Sequence, residues 1–109
     1  MNVSLYVWQR LTAALMVPLL LVHLAVIFYA TRHGLSASDI LARTRGSLAW
    51  FLFYGVFVVA ATVHATIGVR TVLAEWSPLP VRYRDPAVIL FGLSLAALGL
   101  RAVVAVVLL

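Results

Sequence analysis

Three long apolar runs leave this chain almost no choice of fold. Residues 11–30, 48–69 and 87–109 each match the roughly 20 residues that a helix needs to cross a hydrocarbon core, and together they take up most of the sequence. In lipid every backbone N–H and C=O must find its partner within the protein, and a span of this length does so as an α-helix. Composition agrees: 65% of the 109 residues are hydrophobic and 10% are charged, against about 25% charged in a soluble globular domain. The expectation is an all-α membrane protein with three transmembrane helices, a single membrane domain over residues 1–109. Its helices are expected at residues 8–30, 48–74 and 87–109.

The same sequence excludes much chemistry. It has no soluble domain to hold a substrate and no Gly-rich phosphate loop. The first apolar run lacks a small-residue cleavage site before it and is expected to stay in place. Cysteine is absent, so disulfides, iron–sulfur clusters and thiol nucleophiles are excluded from this chain, and a redox centre in it must use histidine. The net charge of +5 comes from arginines alone, set against Asp39, Glu75 and Asp85 and spread over the membrane edges. A nucleic-acid surface would need a clustered basic face, so lipid and not nucleic acid is the expected environment.

The most informative stretch is residues 60–76, AATVHATIGVRTVLAEW. At 3.6 residues per turn, Phe57, Ala61, His64, Gly68, Thr71 and Glu75 share one helix face. His64 lies deep in the apolar run and Glu75 at its end, roughly 16 Å further along the axis. Ala60, Ala61 and Gly68 surround the histidine with small side chains, which leaves room for a flat macrocycle or for a neighbouring helix.

The rest of the chain supports that stretch. Tyr6, Trp8 and Arg10 suit the headgroup level before the first span. Pro18 removes one backbone hydrogen bond from that span, and a kink is expected there. His23, also intramembrane, is either functional or a neutral imidazole hydrogen-bonded to a neighbouring helix. In antiparallel helices His23 and His64 should differ in depth by roughly 10 Å, which disfavours a shared iron. Ser36-x-x-Asp39 reads as a capping box opening a short interfacial helix, and His33 beside it reads as a solvated side chain. Residues 74–86, with three prolines, read as a tight surface connection. Arg101, inside the last span, must snorkel outward or pair with a carboxylate.

Arginine counting orients the chain. Arg10, Arg70, Arg82 and Arg84 lie on the side of the N-terminus, and Arg32, Arg43 and Arg45 on the other. The small excess predicts an integral protein of the cytoplasmic membrane with a cytoplasmic N-terminus and an outward C-terminus.

His64-x-x-x-Gly68-x-Arg70-x-x-x-x-Glu75-Trp76 resembles the His-x-x-x-Gly-x-Arg/Trp-x-x-x-x-Asp-Tyr segment of the two small membrane anchors of succinate dehydrogenase, the cytochrome b-type C and D anchors. The Arg10-Leu11-Thr12-Ala13 segment, the three-helix length and the Pro-containing second loop look more like the D-type anchor than the C-type. The resemblance implies a haem b-binding helical bundle in which His64 is one axial ligand of the haem iron, the other coming from a second anchor subunit. It further implies an iron–sulfur subunit seated on the anchors and, through it, a flavoprotein with FAD, passing electrons from succinate to ubiquinone or menaquinone. The chain alone would catalyse nothing. The family's Asp-Tyr pair near the quinone has become Glu75-Trp76, which keeps the acid and loses the phenol. Trp76, Glu75, Arg10 and Trp8 are the expected quinone neighbours, converging where the first helix starts and the second ends. Arg70 and Arg101 are candidates for pairing with a haem propionate. A haem-free fumarate reductase anchor and a small structural or transport bundle are the alternatives; a transporter should show a repeat or broken helices, and none is visible.

Overall fold

The computed structural model describes residues 3–108 as four helices: α1 Val3–His33, α2 Ala37–Thr44, α3 Leu48–Trp76 and α4 Val81–Val107. Three of them, α1, α3 and α4, are long and apolar enough to cross a membrane. The molecule is 48 Å long, which suits a bilayer of about 40–45 Å including headgroups. This is the all-α, three-span architecture that hydropathy requires.

The helix ends differ from those expected, for local reasons. α1 begins at Val3, not residue 8, so Trp8 and Arg10 lie more than a turn inside the helix. It passes unbroken through Pro18. α4 begins at Val81, not residue 87. Pro80 caps it with extended backbone, its carbonyl accepting from the Tyr83 and Arg84 amides at 3.0 and 2.9 Å. Pro86 sits inside the second turn and leaves the Arg82 carbonyl without its helical donor near the polar end, where the loss is smallest. The second connection therefore shrinks to residues 77–80. Position 109, the expected end of the third span, lies outside the described residues.

Caps fix the remaining ends. Ser36 Oγ accepts from the Asp39 amide at 3.1 Å and opens α2, and Ser47 Oγ accepts from the Trp50 amide at 3.3 Å and opens α3. Gly46, at φ 72°, takes the left-handed turn after α2. From there its amide donates to the Val107 carbonyl at 2.7 Å, and Thr44 Oγ1 donates to the Val106 carbonyl. The interfacial helix is thus clipped to the far end of α4.

α3 is the central helix, with α1 and α4 packed against it. Two glycines of α4 allow its close approach. A β-carbon at Gly92 would stand 2.7 Å from Thr66 Oγ1, and one at Gly99 would stand 2.5 Å from Val58 Cγ1. Small residues at a helix crossing bring backbones into van der Waals range, the chief attraction available in lipid. Few side chains are buried within this chain, Ala60 and Ile67 of α3 and Val88, Val103 and Val107 of α4 among them. Most large apolar side chains face outward, as lipid or partner helices require.

Candidate functional site

His64 sits at the α1–α3 contact. Its Nδ1 lies 3.2 Å from Thr12 Oγ1 on α1. Thr12 is 6% exposed, and its hydroxyl also meets the Trp8 carbonyl at 2.7 Å and the Gln9 carbonyl at 3.1 Å. Thr12 reaches backward along α1 in the usual manner of a helical threonine, and this holds its oxygen in front of the imidazole. Nε2 of His64 has no hydrogen-bond partner among the described residues.

Beside the ring runs a groove of about 380 Å³ lined by Gln9, His64, Ala65, Gly68, Val69, Val72 and Leu73. Its walls are apolar except for His64 and Gln9. Gln9 Nε2 lies 3.5 Å from where a Gly68 β-carbon would stand, and Gln9 Oε1 is buried with no hydrogen-bond partner. The chemistry of this lining suits a flat apolar group: His64 can offer it a ring nitrogen, Gly68 leaves the helix backbone bare, and the remaining walls are aliphatic. The groove is open on its outer side.

His23 lies elsewhere. Its ring packs edge to face on Phe57 and Tyr54, with centroids 5.2 and 6.2 Å away. It lines a cavity of about 390 Å³ with Tyr54, Phe57, Val58, Ala61 and Gly99, and its Nδ1 is buried without a hydrogen-bond partner. His33 is exposed, stacked on Tyr29 at 4.1 Å, with Nδ1 3.1 Å from the Tyr29 carbonyl. Among the described residues no group of three His, Cys, Asp or Glu side chains is placed to hold a metal ion, so a metal bound at His64 must be carried by a macrocycle or completed by another chain.

The remaining expected site residues are dispersed. Arg70 turns toward α4, where its Nε lies 4.0 Å from Asp85 Oδ1, and Arg84 approaches the same oxygen at 3.8 Å. Arg101 is exposed on α4 and forms no ion pair among the described residues. Neither arginine lines the His64 groove. Arg10 lies over the Tyr6 ring, 4.9 Å from its centroid, and Trp8 lines a different apolar groove with Thr12, Leu15, Val56 and Val59. Glu75 is exposed and Trp76 is 82% exposed at the end of α3. The Thr12–His64 register sets Arg10 and Trp8 abreast of Thr66 and Gly68, roughly 10 Å or more short of Glu75 along the axis. By this register Trp8 and Arg10 lie further along α3 toward its middle than Glu75 and Trp76 at its end.

Thr12 and Gln9 are the site residues that sequence reading missed. A lone threonine four residues after Trp8 in an apolar helix signals a hydroxyl bonded to its own helix. Which face of α3 it meets depends on helix register.

Similarity supplies the family. No curated protein and no solved structure gives a match. A family model described as succinate dehydrogenase/fumarate reductase transmembrane subunit matches residues 1–107, nearly the whole chain and all three spans. With the three apolar helices and the intramembrane histidine already placed, this chain belongs to the succinate dehydrogenase/fumarate reductase transmembrane subunit family.

Proposed function

We propose that this chain is a membrane anchor of a succinate:quinone oxidoreductase that holds one face of a haem b through His64 Nε2 and walls a quinone site. The observation that carries the haem reading is the pairing of His64 Nδ1 with Thr12 Oγ1 at 3.2 Å beside the apolar Gly68 groove. It leaves Nε2 as the free nitrogen. A haem bound there supplies one-electron transfer between the iron–sulfur chain and quinone. This chain's residues orient the imidazole, wall the groove with the aliphatic Val69, Val72 and Leu73, and line it with the Gln9 amide.

The open side of the groove calls for a second anchor subunit, whose residues would complete the hold on the haem. The cytoplasmic end receives the iron–sulfur subunit, and the flavoprotein with its FAD follows it. Ubiquinone or menaquinone approaches that end, where Glu75 and Trp76 close α3 and Arg10 and Trp8 lie further in. The Trp76 indole can donate a hydrogen bond to a quinone carbonyl but delivers no proton, so Glu75 or a water handles proton traffic.

Purification through a tag on this chain tests the assignment. Flavin and iron–sulfur absorbance and succinate–quinone activity are expected to accompany it; a well-behaved preparation without them overturns the anchor reading. A complex with flavin and iron–sulfur centres but no haem b band supports the haem-free anchor instead.

A further inference from the structure

The hydrogen bonds around Thr12 bear on which nitrogen of His64 carries the proton. A threonine hydroxyl carries one hydrogen and two acceptor lone pairs. Thr12 Oγ1 lies 2.7 Å from the Trp8 carbonyl and 3.1 Å from the Gln9 carbonyl, and a carbonyl oxygen can only accept. The single hydroxyl hydrogen is therefore directed back along α1, and what faces His64 Nδ1 at 3.2 Å is a lone pair. A lone pair on nitrogen facing a lone pair on oxygen is repulsive, so Nδ1 must carry the proton and donate it.

We infer that Thr12 is a positioning residue that holds His64 as the Nδ1–H tautomer, with Nε2 directed away from α1 as the coordinating atom. This deepens the proposed haem site and rests on that reading. Ligating imidazoles depend on such outer partners for tautomer, ring orientation and basicity. The partner here is a hydroxyl already donating to a backbone carbonyl, which strengthens it as an acceptor. It remains neutral, so the imidazole keeps its Nδ1 proton and gains little imidazolate character. Thr12 is buried, and water does not readily replace it. The pair also ties the first helix to the ligand, because Thr12 and His64 are 52 residues apart in the chain.

The test uses the intact complex with Thr12→Val, which keeps the shape and removes the acceptor, and Thr12→Ser, which keeps both the acceptor and the back-bond. Thr12→Val is expected to lose haem about tenfold faster on dilution into apo-myoglobin, to shift the haem midpoint potential upward and to broaden the low-spin resonance signal. Thr12→Ser is expected to match the unchanged protein in all three. Haem present with potential, signal and retention unchanged in Thr12→Val overturns this inference alone. Absence of haem b from the unchanged complex overturns it together with the ligand reading. If Thr12→Val does not assemble, Thr12→Ala reads the same quantities with less bulk. Assembly lost in both while Thr12→Ser assembles would show a purely structural residue and would also overturn it.

Discussion

The imidazole of His23 meets the ring of Phe57 edge to face, with centroids 5.2 Å apart and planes at 84°. Phe57 precedes His64 by two helical turns, about 10 Å of axis, so His23 and His64 stand at different depths and cannot grip one iron from opposite sides. His23→Ala is expected to retain haem b with an unchanged low-spin spectrum and to lose about 1 kcal/mol of ring packing, read as a slightly lower melting temperature of the complex. Haem loss equal to that of a His64 variant would contradict the register.

Close approach of α3 and α4 depends on Gly92 and Gly99, where a β-carbon would enter Thr66 or Val58. Gly92→Ala and Gly99→Ala should each destabilise the complex by about 1–3 kcal/mol through overpacking. At Gly55 a β-carbon meets nothing within 4 Å. Gly55→Ala should be neutral or stabilise by up to about 1 kcal/mol through helix propensity. Thermal melts of the three variants separate these outcomes, and equal behaviour would refute the packing.

The extent to which sequence foretold structure varies along the chain. Hydropathy revealed the three spans, since length and apolarity leave one solution in lipid. The Ser36-x-x-Asp39 pattern revealed α2, because the cap is a local hydrogen bond. The starts of α1 and α4 were not legible: the aromatic lead-in before residue 11 and the prolines near residue 86 read as boundaries, yet α1 reaches back to Val3, ahead of the start expected at residue 8, and Pro86 is tolerated in a second turn. His64 stood out as a polar group among small residues. Thr12 did not, because its role depends on the register between two helices, and Arg70, read as a candidate partner for a haem propionate, lies beside Asp85, a neighbour that only the packing of α4 on α3 supplies.

Topology is testable because the chain has no native cysteine. Ser38 and Pro78 are exposed in opposite end regions. In intact cells an impermeant thiol reagent should label Ser38→Cys and spare Pro78→Cys until the membrane is opened. The reverse pattern would invert the orientation and place Glu75 and Trp76 outside.

At the proposed quinone edge, Trp76→Leu and Glu75→Gln should each slow succinate–quinone turnover about tenfold, equivalent to about 1.4 kcal/mol of barrier. Succinate oxidation by an artificial acceptor should remain intact, since that chemistry belongs to the flavoprotein. Unchanged quinone kinetics in both variants would remove the end of α3 from the site.

The most direct measurement is the reduced-minus-oxidised spectrum of the intact complex, compared between the unchanged protein and His64→Ala. A haem b band is expected in the unchanged complex, and its loss, or conversion to a high-spin form, in His64→Ala, with flavin and iron–sulfur content preserved. An assembled His64→Ala complex with the same haem content, band position and low-spin character would show that His64 is not a ligand.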